Sequence, residues 1–231
     1  MKILAVETST MAGSVALIDS EELVSEYLLN INITHSERLL SAVDCIIRDT
    51  KISVDEIDGF AVSIGPGSFT GLRIGISTIK GLAYATDKPV VGIPTLDAMA
   101  ENIFFTDYLI CPILDARKKQ VYAALYKKSI ENRLEKITPD LAINPDELLK
   151  KIQTKVVFLG DGLRVYHKLI KETLQDMAFF APMNLRLPRA ANVAKLSLDQ
   201  FRKNNVLDLN TFTPSYVRPS EAEEKFKELK R

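Results

Sequence analysis

The sequence predicts an α/β fold built from two related halves. Short apolar runs without alternation, helical patterns between them, and a hairpin plan that occurs twice carry that expectation. The runs at 3–6, 60–64, 90–93, 109–114 and 156–159 suit strands buried on both faces of a sheet. Strands alternating with helices define the class.

The first run ends in Glu7, and after a polar turn a second strand follows over 14–18. Thr34 begins a helix over 34–50, with Glu37 placed to complete a capping box. Leu39, Leu40, Val43, Ile46 and Ile47 then form a broad apolar stripe at helical spacing. The most informative block is Ile64-Gly65-Pro66-Gly67-Ser68-Phe69-Thr70-Gly71-Leu72-Arg73-Ile74-Gly75, a strand end, a turn and a helix start. Gly65 and Gly67 allow positive φ and close backbone approach. The helix runs over 69–86, with Leu72, Ile76, Ile79 and Ala83 on one side.

Gly71 and Gly75 share one face of that helix. Each costs about 1 kcal/mol relative to alanine, so something packs or binds closely there, either this chain's own lobe or a partner. Thr95 caps a third helix, with Leu96, Met99 and Ala100 inward. Further helices begin near Pro145 and Gly162, and 188–204 and 220–231 also read as helical.

The hairpin plan of 3–18 returns at 111–126: Cys111-Pro112-Ile113-Leu114-Asp115, a short turn, then Gln120-Val121-Tyr122-Ala123-Ala124-Leu125-Tyr126. Each first strand ends in an acid, Glu7 or Asp115, which implies a duplicated architecture with two facing carboxylates. The boundary falls near 102–107. The expected lobes are 1–103 joined by 213–231, and 104–212, with the extended segment at 213–218 returning to the first lobe.

The chain has 231 residues, 46% hydrophobic and 26% charged, enough for a sizeable core. Thirty basic residues balance thirty acidic ones, and a protein that grips nucleic acid alone usually carries a basic excess. A module that grips nucleic acid by itself is therefore disfavoured, and any nucleic-acid role would be shared with a partner. Cys45 and Cys111 are the only cysteines; they read as small buried hydrophobes, not a disulfide framework. No apolar run reaches the roughly 18 residues of a membrane span, so the expectation is a soluble cytoplasmic protein.

Several blocks together resemble the bacterial TsaB (YeaZ) family. They are Ile3-Leu4-Ala5-Val6-Glu7-Thr8-Ser9-Thr10, Thr34-His35-Ser36-Glu37-Arg38-Leu39, the 65–75 block, Asp115-Ala116-Arg117 leading to 121–126, and Pro214-Ser215-Tyr216-Val217-Arg218. The resemblance covers nearly the whole chain. It implies a two-lobed actin-like, sugar-kinase-like (ASKHA) fold with a reduced second lobe. It also implies an accessory role in making threonylcarbamoyladenosine in tRNA, paired with a TsaD-type catalytic homologue and engaged by a TsaE-type ATPase subunit. ATP and a metal ion would belong to those partners, tRNA would be met through the complex, and the isolated chain would be able to homodimerise.

In the family the first two helices make the pairing contact. The expected interface residues are therefore His35, Ser36, Leu39, Val43 and Ile46 on the first helix. On the glycine block and second helix they are Ser68, Phe69, Gly71, Leu72, Arg73, Gly75 and Thr78.

The residues themselves do not spell out a catalytic site. His35 and His167 are the only histidines, and no close His/Cys cluster offers a metal site. Actin-like kinases cradle ATP with an acid followed closely by glycine and a hydroxyl. Here Glu7-Thr8-Ser9-Thr10 lacks the glycine, and Asp115-Ala116-Arg117-Lys118-Lys119 lacks both. Glu7 and Asp115 remain weak candidates for a magnesium held through water; more simply, they satisfy hairpin backbone N–H groups. The glycine block has no Gly-Lys-Ser/Thr ending and does not match the dinucleotide fingerprint. Ser68 or Thr70 could cap its helix and leave an anion-accepting N-terminus.

Ser9, Ser63 and Ser68 match no histidine base by sequence, which disfavours a peptidase. Arg117-Lys118-Lys119 is a basic turn, either solvated or touching tRNA phosphates, and Arg73 could pair with a partner's acid. The expectation is a non-catalytic scaffold, with an ATP-dependent small-molecule kinase of the same fold as the alternative.

Overall fold

The structure, a computed structural model, describes residues 1–31, 34–131 and 133–218. The helix expected over 220–231 lies outside the described residues. The chain forms β1 (Lys2–Glu7), β2 (Gly13–Asp19), β3 (Glu22–Leu29), α1 (His35–Thr50), β4 (Gly59–Gly65), α2 (Phe69–Thr86), β5 (Val90–Pro94) and α3 (Thr95–Ala100). It continues with β6 (Leu109–Asp115), β7 (Val121–Ala123), β8 (Tyr126–Lys128), β9 (Leu134–Lys136), β10 (Leu141–Ile143), α4 (Pro145–Lys150), β11 (Val156–Leu159), α5 (Leu163–Leu174), β12 (Ala178–Phe180) and α6 (Ala190–Arg202).

The first sheet has the order β3-β2-β1-β4-β5. β1 pairs with β2 antiparallel and with β4 parallel, and β4 with β5 parallel. In the second sheet the order is β10-β7-β6-β11-β12, with β8 on β6 and β9 on β8. The central strands β1, β4, β5, β6 and β11 are the five unalternated runs of the sequence. β3 escaped that reading because it is an edge strand, largely exposed, whose pattern need not satisfy two buried faces. The strand expected over 121–126 is broken: Leu125 leaves the β6 ladder to bond Thr138 and Ile137, and the chain re-enters as β8.

Leu39, Val43 and Ile46 of α1 and Ile76, Ile79 and Ala83 of α2 pack with Leu4, Val6, Phe60 and Val62 on one face of the first sheet. The opposite face is covered by α6, through Ala190, Val193, Ala194 and Leu198 against Ile3, Ala5, Ala16 and Val91. This corrects the expected second lobe of 104–212: its last helix belongs to the first sheet. An alanine-rich helix face fits closely on strands that present small residues. The next segment follows it there, with Leu207 N–H bonded to Val90 O at 2.8 Å.

Between the lobes, α3 and its C-cap place two carboxylates, Asp97 and Glu101, one helical turn apart. Asp97 accepts from Tyr126 Oη at 2.7 Å and Lys136 Nζ at 2.8 Å. Glu101 accepts from Lys128 at 3.3 Å and Lys195 at 2.8 Å. Helix starts also differ from the simplest expectation. Thr34 occupies the N-cap of α1, but its hydroxyl donates to Glu37 Oε1 at 2.7 Å and caps no N–H. Thr95 is the first residue of α3, and Pro94 holds the cap position.

Gly71 and Gly75 are buried against the first hairpin turn. A Cβ on Gly71 would overlap Thr8 O, and one on Gly75 would overlap Thr8 Oγ1. A Cβ on Gly81, in the same helix, meets nothing within 4 Å among the described residues. Gly71→Ala and Gly75→Ala are expected to destabilise the fold by about 1–3 kcal/mol each through overpacking. Gly81→Ala should stabilise it by about 0.5–1 kcal/mol through helix propensity. Chemical denaturation of the three variants checks both signs.

Candidate functional site

The glycine block folds against the turn that follows β1. Gly65, at φ +118°, ends β4 beside the Ser215 backbone, and Ser215 N–H donates to Ile64 O at 2.7 Å. Gly67 has no room for a Cβ beside Ser9 O, to which Ser68 N–H donates at 2.7 Å. Ser68 caps α2 by accepting from Gly71 N–H at 3.3 Å, as expected of it. Thr8 Oγ1 closes the contact by donating to Gly71 O at 2.8 Å. The small-residue groove is thus filled by the chain's own Thr8. The spacing of the glycines signals a close neighbour, but nothing in the sequence identifies it.

Both strand-end acids serve backbone N–H groups, as their simpler reading expects. Ser9 N–H donates to Glu7 Oε1 at 2.6 Å, and Arg117 N–H to Asp115 Oδ1 at 2.9 Å. A third acid, Asp161, accepts from Asp115 N–H at 3.1 Å, a role the sequence did not announce. Glu7 is fully buried, with Oε2 lacking a hydrogen-bond partner among the described residues, as do Ser9 Oγ and Ser63 Oγ. Burial pushes its carboxyl above the ordinary 4.5, opposed by neighbouring Ser9 and Ser63.

His35 is held from both sides: Nε2 lies 2.7 Å from Thr10 O and Nδ1 lies 3.2 Å from Arg38 Nη2. Burial pulls its pKa below the ordinary value, and the Arg38 charge adds to that. His167 lies on α5 in the other lobe, against the Phe180 ring. Of the serines weighed as nucleophiles, Ser9 and Ser63 are buried and Ser68 is the α2 cap. Among the described residues, no group of three or more His, Cys, Asp or Glu side chains converges as a metal site would. No helix there is long and apolar enough to cross a membrane.

The expected interface residues divide by direction. His35, Leu39, Val43, Ile46, Gly71, Leu72 and Gly75 are buried in the chain's own core. Such side chains have no surface left for a partner, so the apolar stripe of α1 and the glycine groove are corrected to internal packing. Ser36, Ser68 and Arg73 are exposed, and Phe69 and Thr78 are half-buried. Phe69 stacks on Tyr216 at 4.5 Å, and Arg73 Nε donates to Tyr216 Oη at 2.9 Å. The returning C-terminal segment therefore engages both.

The outward faces of the two helices carry other residues. Leu40 is 60% exposed on α1 and Tyr84 57% on α2, with Ser41, Ser77, Gly81 and Ala85 also exposed. Leu40 was counted with the apolar stripe in the sequence; one position beyond Leu39 turns it out to solvent. A separate cleft of about 740 Å³ opens between α3, α6 and the β8–β9 hairpin. Neither acid at the strand ends lines it, and its Asp97, Glu101, Lys136 and Lys195 pair among themselves.

Two sheets of related plan, joined through α3 with a strand-end acid in each, define a protein of the actin-like, sugar-kinase-like class. The activator of 2-hydroxyisocaproyl-CoA dehydratase from Clostridium difficile shares this fold at a TM-score of 0.52 and 12% identity, over 93% of this chain and 100% of that one. The profile of the TsaD family, tRNA N6-adenosine threonylcarbamoyltransferase, matches residues 28–226. The tRNA threonylcarbamoyladenosine biosynthesis protein TsaB of Bacillus subtilis (strain 168) is 32% identical over 229 residues, 98% of each chain. YeaZ from Pseudomonas aeruginosa superposes with a TM-score of 0.76 at 24% identity, over 93% of this chain and 99% of that one. The chain belongs to the TsaB (YeaZ) family.

The buried carboxyl yields a pH prediction. Because the pKa of Glu7 is raised on folding, the folded protein binds that proton more tightly than the unfolded chain. Stability falls as pH rises from 4.5 through the raised value, and stays reduced above it. Glu7→Gln retains an acceptor for Ser9 N–H and carries no charge. It should be more stable than the parent at about pH 8, and the gain should fade toward about pH 4; denaturation curves at the two pH values test this.

Proposed function

We propose that the chain is a non-catalytic scaffold in tRNA threonylcarbamoyladenosine biosynthesis. It pairs with a TsaD-type subunit that transfers the threonylcarbamoyl group to the adenosine beside the anticodon. Its Bacillus subtilis relative carries the name of that pathway. The observation that supports a non-catalytic role is the use of the turns at the strand ends. Backbone N–H groups that would cradle a phosphate are taken by the chain's own Glu7, Asp115 and Asp161, and no glycine opens either turn.

Metal ion and ATP then belong to the partner subunits. A TsaE-type ATPase engages the pair, tRNA is held by the complex, and the assembly works in the cytoplasm. The pairing surface is the outer side of α1 and α2, where Leu40 and Tyr84 stand exposed and Gly81 leaves open space. In that space a partner helix can approach the backbone of α2 closely. When the partner is absent, a second copy of the chain can cover the same side chains.

Size exclusion with light scattering, with and without the TsaD-type subunit, tests the pairing; a one-to-one species is expected. Leu40→Glu and Gly81→Gln should each weaken it about tenfold or more, which is about 1.4 kcal/mol, without lowering the melting temperature of the isolated chain. Unchanged affinity in both variants would remove α1 and α2 as the contact. Absence of any one-to-one species, with nucleotide or without, would remove the pairing itself.

A further inference from the structure

The turn between β6 and β7 is built in an unusual way. Arg117, Lys118 and Lys119 all lie in the left-handed region, at φ 61°, 49° and 58°. An L side chain there crowds its own backbone, and the region is routine only for glycine and, less often, asparagine or aspartate. Tight hairpin turns that need positive φ normally use those residues. Here three consecutive basic residues take that conformation, and all three are exposed. Backbone strain of this kind concentrates at functional sites.

The turn is held firmly from beneath. Ala116 N–H donates to Gln120 O at 3.0 Å, Gln120 N–H to Arg117 O at 2.9 Å, and Arg117 N–H to Asp115 Oδ1 at 2.9 Å. Asp115 and Asp161, beside the turn, are each bonded to a backbone N–H. Arg117 also pairs with Asp115 at 3.4 Å, but its side chain is 83% exposed, and pairs that open contribute little. Arg164, exposed on the first turn of α5, lies close enough to influence Asp161 as Arg117 does. Arg218 reaches the same turn through Gln120 Oε1 at 3.0 Å. On a chain with no net charge, this is a local concentration of cations.

We propose that the β6–β7 turn is a contact for the phosphate backbone of RNA, presenting three exposed basic side chains from one short hydrogen-bonded loop. The inference rests on the proposed role in tRNA modification for its choice of polyanion. No aromatic residue lies within the turn, so the contact is electrostatic and indifferent to sequence. It adds affinity to a complex and does not specify the base that is modified.

The test is binding of an unmodified tRNA transcript across a salt series, by the chain alone and by its complex with the TsaD-type subunit. The variant is Arg117→Gly/Lys119→Gly, with Arg117→Asn/Lys119→Asn as a second neutral pair and Lys119→Arg as the charge-preserving control. Each lost phosphate contact removes about 0.7–0.9 from the log–log salt slope, the lower value for single strands and the higher for duplex. The glycine pair should therefore bind about 25- to 60-fold more weakly at about 0.1 M salt. Its melting temperature should be equal or higher, because glycine accepts the left-handed conformation, and Lys119→Arg should keep the parent's slope.

Unchanged slope and affinity in both neutral pairs would overturn the proposal. So would a parent that binds no tRNA in either form. Loss of Mg-ATP binding with tRNA binding intact would reassign the turn to a nucleotide. Whether the one-to-one complex forms is read separately. A slope lost in the isolated chain would uphold the turn's role even if pairing failed.

Discussion

The close approach of α2 to the turn after β1 sets the geometry of the first lobe. Gly67, Gly71 and Gly75 place the backbone of the loop and helix directly on Thr8 and Ser9. Two hydrogen bonds, Ser68 N–H to Ser9 O and Thr8 Oγ1 to Gly71 O, fix the contact. Helix interior glycine is unfavourable by itself, so these positions are tolerable only because the neighbour fills the space a Cβ would take. Their consequences spread outward. α2 is drawn toward β1, α1 lies beside it over the same sheet face, and His35 at the base of α1 is pinned between Thr10 O and Arg38.

A second consequence concerns anions. Strand-end turns and helix N-termini are where an α/β protein exposes unpaired N–H groups. In this chain several of them are answered internally by carboxylates. Glu7 and Asp115 serve the two hairpin turns, and Asp161 serves the end of β6. The first turn of α6 is met by Ser14, which accepts from Ala190 N–H, and by Glu26, which accepts from Ala191 N–H and pairs with Arg189. Each carboxylate thereby satisfies N–H groups that the turns and the helix start would otherwise leave open.

Much of this was legible in the sequence, and the limits have physical causes. Central strands are recognisable because burial on two faces forces apolar runs, and α2 runs over 69–86 as expected because Ser68 caps it and its apolar spacing is regular. β3, β9, β10 and β12 are short or exposed, so no such constraint marks them. The attachment of α6 to the first sheet was missed because an amphipathic helix declares that it packs, not on which sheet. The outward residues were misjudged for a related reason. Leu39 and Leu40 are adjacent and equally apolar, yet one turns into the core and the other to solvent, and only the position of the helix on the sheet decides which is buried.

The contrast among the glycines of α2 carries the last step. Gly71 and Gly75 are explained entirely by Thr8, so they no longer require a partner. A Cβ on Gly81 would meet nothing within 4 Å among the described residues outside its own helix backbone, yet this glycine carries the same cost as any helix interior glycine. Nothing among the described residues packs into the space a side chain would take there. Its neighbours on the exposed side, Ser77 and Ala85, are also small, and Tyr84 beside it is large and exposed. A surface that keeps its backbone low and offers one aromatic side chain suits the close packing of another helix.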